Sequence, residues 1–222
     1  MKKLKISILI DNPRSWFVPY GRMLEQRLNE RGHEVVSIED PQKLPHGDLA
    51  FFLSCEQVIG KDLRDHNKHN LVIHASALPQ GKGWSPTTWK ILEGENRIPL
   101  TLFEAEDKVD AGEIYASSII SLGGHELIDE VRQKEGEAIV NLALSFVDLY
   151  PNVVGRAQEG EESFYPKRTP QDSELDINKP LSELFNQLRV VDNERYPAFF
   201  IHHGHSYILK IYKKEDPPHL AN

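Results

Sequence analysis

The sequence predicts an α/β fold with a doubly wound, mostly parallel sheet and a small C-terminal helix-plus-hairpin extension. Short apolar runs at residues 5–10, 33–38 and 48–53 have the length and composition of buried strands in such a sheet. Helical spacing of apolar residues separates the first two runs over 18–31, and Gly32 stands where a helix end is expected. Because strands alternate with helices, we expect parallel pairing with helices on both faces.

The later elements are predicted from the same two periodicities and from the turn residues between them. They are helices at 61–68, 86–92, 126–149 and 181–190, strands at 70–75, 98–104 and 113–122, and a hairpin of 198–201 with 207–212. We expect a main domain over residues 1–150. Residues 151–222 then form a linker and the small extension.

Composition argues against several classes of protein. The formal net charge of -8 disfavours a nucleic-acid partner, because such binding depends largely on neutralised phosphates. No apolar stretch approaches the roughly 18 residues of a membrane span, and the N-terminal run is too short for a signal peptide. We therefore expect a cytoplasmic protein with no membrane partner. Cys55 is the only cysteine and no histidine pair has HExxH spacing, so no disulfide or metal site is expected.

His74 and Asp110 are the leading candidates for chemistry. His74 ends the fourth predicted strand and precedes a loop rich in proline and glycine, where doubly wound sheets bind their ligands. Imidazole exchanges protons near neutral pH. Taken alone, His74 also fits a strand-end histidine bonded to a loop carbonyl, and Asp110 also fits a turn residue that bonds its own backbone.

His74 and Asp110 each belong to one of three motifs that follow one another along the chain, and the set is more specific than either residue alone. The motifs are HASALPQGKG at 74–83, PTTWKILEG at 86–94 and VDAGEI at 109–114. This set resembles the folate-dependent formyltransferase family, over about 48–121, and similarity continues at 165–176 and 188–199. The resemblance is closest to the nucleotide-sugar N-formyltransferases of pseudaminic-acid-type pathways. The tRNA-type members carry a further C-terminal domain, for which we expect 222 residues to leave no room.

The resemblance implies transfer of a formyl group from 10-formyltetrahydrofolate to the amine of a nucleotide-linked 4-amino-4,6-dideoxy sugar. It implies that residues 1–150 are the catalytic domain, and that His74 and Asp110 are the catalytic pair. An imidazole stabilises negative charge on the formyl oxygen by donating a hydrogen bond, and a nearby carboxylate favours the charged imidazole. No metal is implied.

One position departs from the family pattern. Members usually carry an asparagine two residues before the histidine, where this chain has Val72. Asn70 is the candidate replacement on the same side of the strand. A rise of roughly 3.3 Å per residue places Asn70 about 13 Å from His74 unless the strand bulges.

The resemblance also indicates binding residues for both substrates. It places the pterin of the folate between segments 54–59 and 105–110, with contacts from Glu56, Gln57, Val58, Ala105, Glu106 and Val109. The expected acceptor contacts are Trp16, Ser76, Lys82, Gly83 and Trp84, with Tyr165, Arg168 and Tyr196 facing the nucleotide by analogy. Lys82 fits either a phosphate contact or a solvent-facing lysine, and the tryptophans fit either stacking on the ligand or packing.

The sequence is also compatible with two other functions. A hydrolase that releases formate from the same carrier needs the same histidine and aspartate, with water as acceptor. A folate- or nucleotide-binding protein without catalysis is motivated by Val72. The C-terminal hairpin is a candidate surface for a homodimer.

Overall fold

The computed structural model describes residues 2–214. In chain order the elements are β1 (Lys5–Leu9), α1 (Val18–Glu30), β2 (Glu34–Ile38), β3 (Gly47–Phe52), α2 (Lys61–Arg64), β4 (Asn67–His74), β5 (Lys82–Gly83), α3 (Pro86–Leu92), β6 (Arg97–Glu104), β7 (Ile114–Ser121), α4 (Ile128–Leu149), β8 (Phe164–Tyr165), α5 (Leu181–Arg189), β9 (Ala198–His202) and β10 (His205–Leu209). Short 3-10 turns lie at Pro41–Lys43 and Pro170–Ser173.

The central sheet has six strands in the order β2-β1-β3-β4-β6-β7. The first four strands are parallel, and β6 and β7 continue the sheet with antiparallel pairing. The predicted mostly parallel α/β fold with a C-terminal helix and hairpin is confirmed. Because the chain passes from β1 to β2 on one side and to β3 on the other, a crevice opens at the carboxyl ends of β1 and β3.

Helices α1 and α4 cover one face of the sheet. Their buried residues, among them Leu24, Leu28 and Phe146, join the strand side chains in the main hydrophobic core. At Gly136 a β-carbon would lie 2.5 Å from the Tyr20 ring, so this glycine permits the close approach of the two helices. A smaller cluster on the opposite face includes Phe52.

Element boundaries differ from prediction mainly where polar residues take part in strands. β4 begins at Asn67, three residues earlier than predicted, because Asn67 pairs with Gly47 of β3. Apolar periodicity does not mark such polar strand residues. Similarly, β10 runs over His205–Leu209, because His203 and Gly204 both adopt positive φ and close a tight turn.

The segment expected to be a linker runs back across the sheet edge. Its strand β8 pairs in parallel with β5, and Arg156 exchanges backbone hydrogen bonds with Ile114. Arg189 of α5 joins the extension to the main domain, since its Nε donates to the Glu126 carbonyl at 2.9 Å and its Nη2 to the Glu126 carboxylate at 3.1 Å. Both segments are therefore packed against the main domain.

Across residues 2–214, none of the helices combines the length and the apolar character needed to cross a membrane.

Candidate active site

The structure brings His74 and Asp110 together at the carboxyl end of β4. Nε2 of His74 lies 3.8 Å from Oδ2 of Asp110, and both side chains are 11% exposed. The same nitrogen bonds to the Gly81 carbonyl at 2.8 Å. A carbonyl only accepts, so Nε2 carries a proton and Nδ1 is the nitrogen left for other contacts.

The backbone around Asp110 is held in a left-handed turn. Asp110 has φ of +51°, which aspartate tolerates better than most residues. The Gly83 N–H donates to its carboxylate at 2.9 Å, and Gln158 Nε2 donates to its carbonyl at 3.0 Å. A β-carbon at Gly112 would lie 1.8 Å from the Glu104 carbonyl oxygen, so the turn requires glycine there.

A cavity of about 310 Å³ adjoins this pair and is called the donor cavity below. Its apolar walls include Val72 and Phe103. All six residues that the sequence analysis assigned to the pterin line it: Glu56, Gln57, Val58, Ala105, Glu106 and Val109.

The loop after β3 owes its position to Asp11, which the sequence analysis missed. The Asp11 carboxylate accepts the backbone N–H of Glu56 at 2.9 Å and that of Gln57 at 2.8 Å. Asn12 Nδ2 also donates to the Glu56 side chain at 2.8 Å. The available signal was an acidic residue just beyond an apolar strand, at the sheet edge where ligands bind.

Cys55 lines the donor cavity but does not have the properties of a nucleophile. Burial raises the pKa of its thiol to about 12, and the thiol donates to the Leu9 carbonyl at 3.3 Å. A thiol that stays protonated at neutral pH is a poor nucleophile.

Asn70 does not replace the family's asparagine. Its side chain donates to the Arg64 carbonyl at 2.9 Å, and it does not line the donor cavity. The register of β4 against β3 runs without a shift from His69 to Val72, so no bulge shortens the distance to His74. Val72 does line the cavity, and its side chain offers no hydrogen-bond donor.

A second cavity of about 290 Å³, the acceptor cavity below, lies on the other side of Trp84. Trp84 lines both cavities, and Lys167 Nζ lies 4.3 Å from its ring centroid. Trp16, Arg168 and Tyr196 line the acceptor cavity, as do Arg132 and Asp192, whose side chains pair at 3.0 Å.

Four residues assigned to the acceptor do not line the acceptor cavity. Lys82 is 1% exposed and its ammonium group bonds to Glu162 at 2.8 Å, because the β5–β8 pairing covers it. It neither faces water nor lines the two cavities. Ser76 is fully buried outside both. Tyr165 donates to Glu93 at 2.7 Å and stacks on Trp89, whereas Gly83 lines the donor cavity.

The segment that packs against Asp110 and Lys82 carries no signal in the sequence. Gln158 and Glu162 lie in the presumed linker, where no motif marked them. Their contacts with Asp110 and Lys82 span 48 and 80 residues of sequence. No cluster of three or more histidine, cysteine, aspartate or glutamate side chains suited to a metal occurs in the described part of the chain.

His74 and Asp110 meet beside a cavity on this fold, as the resemblance to the folate-dependent formyltransferases implied. The sequence model of the formyl transferase family matches residues 19–143, more than half of the 222 residues. The chain belongs to the formyl transferase family.

Solved structures show the same fold at low identity. A methionyl-tRNA formyltransferase from Clostridium thermocellum has a TM-score of 0.79 and 20% identity, over 96% of this chain and 94% of that chain. HypX from Aquifex aeolicus in complex with tetrahydrofolic acid has a TM-score of 0.77 and 19% identity, over 95% of this chain and 38% of that chain. A sugar N-formyltransferase from Shewanella sp FDAARGOS_354 has a TM-score of 0.62 and 14% identity, over 96% of this chain and 99% of that chain.

The lengths of the solved chains bear on the choice of acceptor. This chain covers 94% of the solved Clostridium chain, so its length does not separate it from an enzyme that acts on methionyl-tRNA. The choice of acceptor therefore rests on the residues of the acceptor cavity.

Proposed function

We propose that this chain transfers a formyl group from 10-formyltetrahydrofolate to the amine of a nucleotide-linked 4-amino-4,6-dideoxy sugar. The observation that carries the proposal is the convergence of His74 and Asp110 on the wall of the donor cavity, beside a second cavity with cationic and aromatic side chains.

The donor cavity fits a pterin in shape and chemistry. Its volume of about 310 Å³ lies in the roughly 300–1,000 Å³ range of ligand pockets. Val72 and Phe103 offer apolar faces to a flat ring, and the loop fixed by Asp11 forms a further wall of the cavity. HypX, which has a similar fold over 38% of its chain and was solved in complex with tetrahydrofolic acid, supports a folate as the donor.

Bound 10-formyltetrahydrofolate supplies the formyl carbon, and the protein residues stabilise charge and move protons. Nε2 of His74 is held by the Gly81 carbonyl, so Nδ1 is the nitrogen that donates to the formyl oxygen as negative charge develops there. Asp110 stabilises the charged imidazole and accepts the proton that the attacking amine loses, directly or through water. That proton passes to the folate nitrogen as its bond to the formyl carbon breaks, so tetrahydrofolate leaves as a neutral amine.

The acceptor cavity suits a nucleotide-linked sugar. Among the residues that the structure describes, Lys167 and Arg168 take part in no salt bridge. The Lys167 ammonium group lies over the Trp84 ring, and Arg168 donates one hydrogen bond to a backbone carbonyl, so the positive charge of both side chains is available to phosphate oxygens. Trp16, Trp84 and Tyr196 offer aromatic surface for a base or sugar ring. Because Trp84 borders both cavities, an acceptor bound here reaches the donor cavity past this ring.

The direct test is incubation with 10-formyltetrahydrofolate and a panel of UDP-, dTDP- and GDP-linked 4-amino-4,6-dideoxy sugars, read by mass. We expect one panel member to gain one formyl group. Formate release at equal rates with and without the sugar indicates a hydrolase instead. A donor that keeps its formyl group in single-turnover conditions indicates a binding protein.

Methionyl-tRNA is the competing acceptor, because of the similarity to the Clostridium enzyme. The net charge of -8 argues against it, since tRNA binding depends on phosphate neutralisation. Charged tRNA belongs in the same panel, and its formylation in place of the sugars would contradict the proposal.

A cytoplasmic homodimer completes the proposal. The hairpin β9–β10 exposes Ile201, Tyr207 and Ile208, which suit an apolar contact with a second copy. Analytical ultracentrifugation should give twice the monomer mass, and Ile208→Lys should restore the monomer. Cell fractionation tests the location.

A further inference from the structure

A carboxyl group on α4 faces the acceptor cavity from an apolar wall. Glu135 lines this cavity together with Ile91, Ile128 and Val131. Its Oε1 accepts a hydrogen bond from Thr87 of α3 at 2.8 Å. That bond leaves the second carboxyl oxygen, Oε2, for another donor.

Among residues 2–214 this carboxyl group takes part in no salt bridge, and the nearby charge of Arg132 only partly offsets its burial. Arg132, one helical turn earlier, is instead paired with Asp192 at 3.0 Å. Burial raises the pKa of Glu135 to about 7. An apolar residue would pack α4 against α3 without this cost, and a desolvated titratable group in a cavity is typical of functional sites.

We propose that Glu135 determines acceptor specificity, with Oε2 accepting a hydrogen bond from a ring hydroxyl of the acceptor sugar. This inference rests on the proposed function. The sugar amine must lie beyond Trp84, near His74, and the phosphates suit Lys167 and Arg168. The ring hydroxyls are then the donors that remain for the wall formed by α3 and α4.

The hydrogen bond makes acceptor affinity depend on pH. The carboxylate form accepts a hydroxyl proton better than the neutral acid does, so affinity rises as pH increases through the range around 7. The charged and titratable groups that face Glu135 in this cavity are Arg132, Asp192, Lys167, Arg168 and Tyr196. The sugar amine also titrates, and comparison with Glu135→Gln removes its contribution.

The test is calorimetric titration of the UDP-, dTDP- and GDP-linked 4-amino sugars, without a folate donor, at pH 6 and pH 8. For wild type we expect several-fold tighter binding at pH 8, and a smaller pH effect in Glu135→Gln. Glu135→Ala should weaken binding at pH 8 by about ten-fold, the effect of one hydrogen bond to a charged group. Glu137→Gln, an exposed change on the same helix, serves as the control and should match wild type.

The outcomes separate this inference from the proposed function. If Glu135→Ala and Glu135→Gln bind the sugar nucleotides with the affinity and pH dependence of wild type, the role of Glu135 is overturned. The proposed function stands in that case if the wild-type protein still formylates a sugar. If the variants show the predicted binding pattern but the wild-type protein transfers no formyl group, the proposed function is overturned and the role of Glu135 in sugar binding is supported. If the wild-type protein binds none of the sugar nucleotides, the proposed function and the role of Glu135 are both overturned. Thermal unfolding of each variant confirms that it is folded.

Discussion

Asp110 combines the carboxylate that we propose for proton transfer with an unusual backbone conformation. Its left-handed φ points the side chain at the Gly83 N–H and at His74, and Gln158 bonds the carbonyl of the same residue. The aspartate is therefore positioned by two segments that are distant in sequence. The role of the Asp110 carboxylate can be tested separately from the role of Gln158.

Asp110→Asn tests the charge of this carboxylate. Asparagine tolerates the left-handed turn and still accepts from Gly83, so the fold should be retained. We expect the rate of formyl transfer to fall by roughly 100-fold or more, the usual contribution of an acid–base group. Asp129→Asn, at a side chain that is 94% exposed, is the matched control in the kinetic assay. Full activity in Asp110→Asn would remove this residue from the mechanism.

Gln158→Leu tests the positioning of Asp110. The variant loses the bonds to the carbonyls of Asp110 and Gly112, which measure 3.0 and 2.9 Å. We expect kcat to fall by about 10- to 100-fold while KM for the donor changes little, because small displacements of a catalytic group are costly. Exposed Glu159→Ala is the control. A change in Tm with unchanged kcat would indicate a purely structural role.

At the level of the elements, a buried ion pair helps to hold the C-terminal extension against the main domain. Arg189 and Glu126 are 1% and 2% exposed in their side chains and join α5 to the start of α4. Arg189→Met should lower the free energy of unfolding by about 3–5 kcal/mol, because the buried Glu126 loses a partner. Lys134 also bonds Glu126, at 2.6 Å, which favours the lower end of this range.

Urea denaturation measures this loss. Arg31→Met breaks the half-exposed pair with Asp148, and its cost should stay within about 1 kcal/mol. Equal costs for the two variants would contradict the role of Arg189 in holding the extension.

The strand β2 begins next to a histidine that is buried in its neutral form. Burial lowers the pKa of His33, and the Leu4 N–H donates to its Nδ1 at 3.3 Å. The unfolded chain therefore binds a proton more readily than the native state, and stability is lost as pH falls below about 6.5. His33→Gln should reduce this acid sensitivity in urea titrations at pH 7 and pH 5. Exposed His205→Gln should behave like wild type.

At the scale of the whole molecule, the sequence predicted what depends on periodicity and on local motifs. Apolar runs predicted the order of strands and helices, and the ordered motifs predicted the pairing of His74 with Asp110. Contacts between distant polar residues were not predictable. The burial of Lys82 follows from the pairing of β8 with β5. No local pattern in the sequence indicates that residues 151–165 return to pack against β5. Glu135 was missed for the same reason, since only the packing of α3 against α4 shelters it.

The central claim is that His74 serves formyl transfer from the donor cavity to the acceptor. Its most direct test follows a ¹³C-labelled formyl group by NMR, with wild type, His74→Ala and the exposed control His205→Ala. We expect the label to move to the sugar amine with wild type and with the control. With His74→Ala the same transfer should be roughly 100- to 1,000-fold slower. Transfer by His74→Ala at the wild-type rate, or label that never leaves the folate with wild type, would contradict it.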